Sequence, residues 1–214
     1  VIQAAIFDLD GVIVDTAHYH FLAWQRLADE LGVRFTASDN ERLKGVSRMR
    51  SLEIILELGG ISKTEAEKEL LANRKNAWFV EYINQIRPDE IYPGVQQLIG
   101  ELKKQGIKVA LASSSKNART VLDKLRIAHL FDAYVDGTMI AHSKPHPEIF
   151  LQAAAQLQLQ PHQCVVFEDA EAGVEAALAA GMKCVGVGAP EHVGKAHRVV
   201  KNTADFPADD IQNL

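Results

Sequence analysis

From Val95 onward, stretches of helical periodicity alternate with short, almost unbroken apolar runs, and this rhythm constrains the fold more than any other feature. Val95, Leu98, Ile99 and Leu102 recur at helical spacing, Gly106 stops the period, and Lys108-Val109-Ala110-Leu111-Ala112-Ser113 comes next. A helix near Asn117–Leu125 leads to a strand around Phe131–Val135. One over about His146–Leu157 leads to Cys164-Val165-Val166-Phe167, and Ala172–Ala180 leads to Lys183-Cys184-Val185-Gly186-Val187. Strands apolar on both sides need cover on both faces, and helical connections make neighbouring strands parallel. The opening run Ile2-Gln3-Ala4-Ala5-Ile6-Phe7 is just as apolar and belongs in the same sheet.

Between that strand and Pro88 the pattern is helical throughout. Phe21, Trp24, Leu27, Ala28 and Leu31 mark one helix face that Gly32 can end, with Asp15 or Thr16 as its cap. Ser47 opens a second helix carrying Leu52, Ile55, Leu56 and Leu58 up to Gly59-Gly60. Ser62 and Glu65 have the spacing of a capping box and open a third, expected to run to about Ile86 with Leu70, Leu71, Trp78, Tyr82 and Ile83 as its stripe. The expected architecture is a Rossmann-like parallel α/β core, residues 1–14 and 88–214, with an all-helical cap domain, residues 15–87, inserted after the first strand. Its hinges fall near Asp15 and Arg87–Pro88.

Lys+Arg 23 against Asp+Glu 28 leaves a net charge of −5 with no basic block, which argues against a nucleic-acid partner but not against local phosphate pockets. No apolar run approaches membrane-spanning length, so no membrane partner is expected, and no signal peptide precedes the first strand; the cytoplasm is the expected compartment. Cys164 and Cys184 each open an apolar run and read as buried free thiols.

Ligands of open α/β sheets bind beyond the carboxyl ends of the strands. At those ends, strand by strand, stand Asp8 and Asp10, then Ser113-Ser114-Ser115-Lys116-Asn117, then Asp136, then Glu168-Asp169, with Lys144 in the loop Ser143-Lys144-Pro145. Two acids at the mouth of a buried strand repel each other unless a cation holds them. Asp8 can serve as nucleophile and metal ligand, leaving Asp10 for proton transfer. Asp8, Asp169 and Glu168 are hard oxygen ligands suited to Mg²⁺; Ser113 can donate to a phosphoryl oxygen and Lys144 can neutralise its charge. Each has a plainer reading: a capped strand end for the two acids, a helix-end bond for Ser113, a solvated Lys144, and a helix cap for Glu168-Asp169. Their meeting at one predicted rim favours a site for phosphoryl transfer.

In order, strand context and spacing, Asp8-Leu9-Asp10-Gly11-Val12, Ser113, Lys144-Pro145 and Glu168-Asp169 resemble the four motifs of the haloacid dehalogenase superfamily. Within it the chain resembles, over nearly its whole length, the mutases of β-glucose phosphates. The stretches that carry this are Asp15-Thr16-Ala17-His18-Tyr19-His20-Phe21, Leu43-Lys44-Gly45-Val46-Ser47-Arg48, Arg74-Lys75-Asn76 and Ala112–Asn117. The resemblance implies that Asp8 becomes an aspartyl phosphate, that Mg²⁺ is held by Asp8, Glu168, Asp169 and the main-chain carbonyl of Asp10, and that Asp10 moves protons for the sugar. β-Glucose 1,6-bisphosphate would be both primer and intermediate, turning around beneath a mobile cap. Thr16 and His20 would join the catalytic groups, His20 by aligning Asp10 on closure. Arg48, Ser115, Lys116 and Asn117 would cradle the second phosphate, with Lys44, Gly45, Val46, Ser47, Ser51, Lys75, Asn76, Ser114 and Trp24 around the sugar.

Some of these residues also read more simply: His20 as a structural histidine, Lys75 as solvated, Trp24 and Trp78 as helical-block core. Two positions depart from the family pattern. His142 stands where a small residue is usual, either adding a titratable group or facing solvent, and Ala170 stands where a hydroxyl is often found. The function expected from the resemblance is interconversion of β-D-glucose 1-phosphate and glucose 6-phosphate by a monomer. The alternative is a Mg²⁺-dependent sugar-phosphate phosphatase that loses the same Asp8 intermediate to water. A third reading, a non-catalytic sugar-phosphate sensor, sits poorly with intact Asp8, Asp10, Lys144 and Asp169.

Overall fold

Strand β1, Ala4–Phe7, lies in the middle of a six-stranded, wholly parallel sheet in the computed structural model, which describes residues 1–214. The other strands are β2 (Lys108–Ala112), β3 (Ala133–Val135), β4 (Cys164–Glu168), β5 (Lys183–Val187) and β6 (Arg198–Val200), in the order β3-β2-β1-β4-β5-β6. Sheet order reverses between β2 and β4, on either side of β1, and that is where an open α/β sheet leaves a crevice above its strand ends. Strand alternation divides the apolar residues between two clusters. Ala5 and Phe7 join a large cluster on one face that continues into the helical block; Ala4 and Ile6 join a smaller one on the other. Phe7 stacks on Phe167 at 4.6 Å, and Phe206 meets Phe167 edge-on at 5.2 Å, fixing β1 against β4 under the site; such aromatic pairs contribute roughly 0.5–1.5 kcal/mol each beyond burial.

Four helices separate β1 from the rest of the core: α1 (Ala17–Glu30), α2 (Ala37–Glu41), α3 (Arg48–Gly59) and α4 (Glu65–Ile83). Thr16 occupies the α1 cap position, but the capping bond comes from Asp15, whose Oδ1 accepts from His18 N at 3.1 Å. The capping box of α4 is Thr64 with Glu67, not Ser62 with Glu65: Thr64 Oγ1 accepts from Glu67 N and Glu67 Oε2 accepts from Thr64 N at 2.8 Å. Both spacings fit the pattern, and the helix starts from Thr64, whose backbone is extended and whose side chain makes the capping bond. The chain leaves and re-enters the core side by side, Val14 bridging Ile91 and Tyr92 N donating to Ile13 O at 2.9 Å. No helix is long and apolar enough to cross a membrane.

The remaining helices, α5 (Val95–Lys104), α6 (Ala118–Leu125), α7 (Glu148–Gln156), α8 (Glu171–Ala179) and α9 (Pro190–Val193), cover the sheet. Neither β6 nor α2 stands out in the sequence pattern. Three residues of strand and five of helix are too short to carry a period, and α2 has no buried residue at all. Cys164 and Cys184 are buried and free.

Candidate active site

Asp8 leaves β1 as the last residue before the chain turns, and Lys144 meets it from the loop before α7. Lys144 Nζ donates to Asp8 Oδ1 at 2.9 Å and to Glu168 Oε2 at 2.8 Å, with Ala112 O at 3.4 Å, and its side chain is wholly buried. Burial alone would lower this amine's pKa; the Asp8 and Glu168 charges outweigh that and hold it above its ordinary range. The solvated reading of Lys144 therefore fails. Glu168 spends its other oxygen on Ala170 N at 3.3 Å. Helix α8 has no side-chain cap at its Ala170 cap position, so Glu168 and Asp169 do more than end a helix.

Carboxylate oxygens of Asp8, Glu168 and Asp169 lie within 4.8 Å of one another. Burial first, then Asp8, pushes Glu168 up to about 7, and burial with Glu168 and Asp8 pushes Asp169 well above the usual carboxylate range. Two glycines make room for this crowding. A Cβ on Gly11, where φ is +75°, would come within 2.0 Å of Asp169 Oδ2, and one on Gly173 within 2.0 Å of the Glu168 carboxyl carbon. Packed carboxylates that repel one another, with one lysine against two of them, fit an oxygen-coordinated divalent cation such as Mg²⁺.

Above this cluster opens a cavity of about 250 Å³. Asp8, Asp10 and Asp169 reach it from the core; His20, Trp24, Lys44, Gly45, Val46, Ser47, Arg48, Ser51, Lys75 and Asn76 reach it from the helical insertion; Ser114, Ser115, Lys116 and Asn117 reach it from the loop after β2. Residues spread over nearly the whole chain thus share one space. Four expected site residues do not line it. Lys144 and Glu168 sit behind Asp8; Ser113 is buried, its Oγ accepting from Ser115 N at 3.2 Å; Thr16 is buried with no partner for its hydroxyl. Asn40, Gly137, Ile140 and Ala141 line the cavity without having been expected there, since none carries a charge or stands in a motif; Ala17, Leu43 and Ser143 line it from within the motif stretches. Asp136 is a local anchor: it accepts from Thr138 N at 2.8 Å and from the Tyr134 hydroxyl.

Asp10 is pushed up to about 8, by burial first and the Asp8 charge second, so it holds a proton near neutral pH. His20 Nε2 stands 3.8 Å from Asp10 Oδ2, beyond hydrogen-bond reach. Its other nitrogen, Nδ1, lies 2.8 Å from Lys75 Nζ; with the lysine as donor the ring proton sits on Nε2, facing Asp10. Burial, Lys75 and Arg48 together depress His20 well below its usual value, so the ring is neutral. Lys75 is 2% exposed, wedged over Trp24 and Phe79 at 4.6 and 4.7 Å; the solvated reading of this lysine fails too. Trp24 is both core and cavity wall, and Trp78 is buried in the insertion.

Direct hydrogen bonds close the insertion on the core. Ser114 Oγ donates to Gly45 O at 3.1 Å, and Asn117 Nδ2 donates to Asn76 Oδ1 at 2.8 Å. Gly45 has φ +73°, and a Cβ there would meet Ala170 Cβ at 3.3 Å, so the glycine lets two backbones approach. Ala170, lacking the family's hydroxyl, offers that approach a methyl group. His142 is exposed, its ring 4.7 Å from that of His146.

The model of the haloacid dehalogenase-like hydrolase family matches residues 2–181. The chain belongs to this haloacid dehalogenase-like family. Among its relatives, the β-phosphoglucomutase of Bacillus subtilis strain 168 is 48% identical over 206 residues, 95% of this chain and 91% of that protein. A phosphorylated carbohydrates phosphatase of Thermotoga maritima is 36% identical over 85% of this chain and 82% of its own. The crystal structure of a β-phosphoglucomutase from Clostridium difficile superposes with a TM-score of 0.95 at 45% identity, covering 100% of this chain and 96% of that one. The haloacid dehalogenase-like fold expected from the four motifs is thus the fold observed.

Proposed function

We propose that the chain catalyses the β-phosphoglucomutase reaction, interconverting β-D-glucose 1-phosphate and glucose 6-phosphate through an aspartyl phosphate on Asp8 and β-glucose 1,6-bisphosphate. What supports this reading is that one cavity brings the Asp8 and Asp10 carboxylates together with a separate set of anion donors: Arg48 of the insertion and Ser115, Lys116 and Asn117 of the core, which suit a second phosphate. Hydrolysis of a monophosphate needs only the first. The 48% identity to a β-phosphoglucomutase supports the same conclusion.

Starting from β-glucose 1-phosphate, the sugar C6 hydroxyl attacks the phosphorus carried on Asp8 while Asp10 takes the hydroxyl proton, giving the bisphosphate. The bisphosphate turns around. Asp8 then attacks the C1 phosphoryl group, and Asp10 returns the proton to the C1 oxygen as that P–O bond breaks. Mg²⁺, held by Asp8, Glu168, Asp169 and the Asp10 carbonyl, would neutralise charge on the transferring phosphoryl oxygens. Lys144 keeps Asp8 and Glu168 in place from behind. Neutral His20, fixed by Lys75, presents its Nε2–H towards Asp10.

Residues 15–87 act as a cap, hinged where the chain passes twice beside itself at Val14 and Ile91. Closure excludes water from the acyl phosphate and reopening allows the intermediate to turn. A monomer in the cytoplasm, acting on small sugar phosphates, belongs to the same reading. The phosphatase relative makes hydrolysis the reading to test against. With Mg²⁺, β-glucose 1-phosphate and a bisphosphate primer, glucose 6-phosphate should far exceed released phosphate; predominant phosphate release would defeat the mutase.

A further inference from the structure

Lys44 stands in the wall between two openings. It lines the cavity above Asp8 and also a separate cleft of about 730 Å³ on the other side, and Asp169 borders both. Lys44 is the cation whose charge opposes the upward pull on Asp169. A lysine so placed is useful only if its long stem is held, and no core residue bonds it. Its ammonium instead lies 3.0 Å from Glu41 Oε1, one turn earlier in the insertion. Glu41 sends its other oxygen, Oε2, out of the insertion to His192 Nε2 of α9, 3.8 Å away in the core. One carboxylate therefore spans the seam that opens and closes.

We infer that Glu41 is a positioning residue, and that docking of its carboxylate on His192 couples cap closure to placement of the Lys44 ammonium at the sugar-phosphate cavity. The inference rests on the reading of residues 15–87 as a mobile cap over a sugar-phosphate site. The contact is an ion pair only while the imidazole is protonated. The titratable and charged groups that share the cleft with His192 are Glu41 and Lys44 from the insertion, Asp15 from the hinge, and Tyr92, Asp169, Lys201 and Asp205 of the core, with Glu191 next to it in sequence. Lys195, close in sequence, is occupied by Glu171 and Glu175 at 3.0 and 2.7 Å. Glu41 is the group that meets His192 at ion-pair distance and belongs to the moving part.

The test compares the wild-type enzyme, Glu41→Gln, His192→Gln and His192→Lys with saturating Mg²⁺ between about pH 5.5 and pH 8. For an exposed pair the expected change is about threefold to fivefold in KM for β-glucose 1-phosphate with kcat within about twofold. Wild-type KM should rise with pH relative to His192→Lys, which stays low, while His192→Gln stays high; Glu41→Gln combined with His192→Gln should be no worse than Glu41→Gln alone. A His192→Gln enzyme with the wild-type pH profile, or independent additive effects of the two substitutions, would overturn the coupling. Failure of the wild-type enzyme to form glucose 6-phosphate would refute the substrate reading instead. Closure is then read without substrate by X-ray scattering: the radius of gyration should grow with pH in the wild type and not in His192→Lys, and equal growth in both would overturn the inference.

Discussion

Replacing Lys144 with methionine probes what holds the acidic cluster together. Its ammonium is 2.9 Å from Asp8 Oδ1 and 2.8 Å from Glu168 Oε2, all three side chains being nearly or fully buried. Breaking a buried ion pair costs about 3–5 kcal/mol when the orphan stays charged. Here the orphans can discharge by taking up a proton, and Glu168 is already at about 7. Wild type therefore carries a Glu168 proton over part of the acid range, and the variant's excess is one further proton settling between Asp8 and Glu168. Because the folded variant then binds more protons than its unfolded chain, its stability falls as pH rises, by about 1.4 kcal/mol per pH unit for that proton. Between about pH 5.5 and pH 7.5 the gap to wild type should widen by roughly 3 kcal/mol, from about 1 kcal/mol or less at the acid end. Urea unfolding in excess EDTA at the two pH values measures it. A penalty equal at both, or larger in acid, would refute the view that Lys144 serves to keep these carboxylates ionised.

Asp10, raised to about 8, holds a proton in the folded metal-free protein that the unfolded chain releases near pH 4; stability should therefore fall from about pH 4 to pH 8. Asp10→Asn should flatten that slope by up to about 1.4 kcal/mol per unit, and an unchanged slope would mean that Asp10 is already ionised. Gly11→Ala places a Cβ against Asp169 Oδ2 at a backbone angle unsuited to alanine. Titration calorimetry should show Mg²⁺ affinity reduced at least about tenfold; wild-type affinity would mean that Asp169 is not held where the metal needs it.

The sheet and its cover were legible because unbroken apolar strands and helical stripes each bury a face, as Val109–Ala112 and Val95–Leu102 do. So was the site's polar rim, because parallel strands deliver their carboxyl ends to one edge and the charges at Asp8, Lys144 and Glu168 interrupt that edge. The burial of Lys75 was not legible, although the resemblance placed it near the sugar. A lysine on a long helix reads as solvated, and only tertiary packing places His20, Trp24 and Phe79 around it. Nor was the Glu41 contact, since the α2 segment has no apolar stripe and its partner lies more than 140 residues further along the chain. The cavity walls supplied by Leu43, Ile140 and Ala141 are ordinary small or apolar residues, and nothing in their type distinguishes wall from core.

Acid quenching of the working enzyme, coupled to peptide mass spectrometry, addresses the chemistry most directly. Turnover of β-glucose 1-phosphate with Mg²⁺ and primer should leave an acid-stable, hydroxylamine-sensitive phosphoryl group on the peptide containing Asp8, absent from Asp8→Asn, which should stay folded by circular dichroism yet make no glucose 6-phosphate. Phosphate trapped on any other side chain, or full turnover with no acyl phosphate on that peptide, would contradict the account.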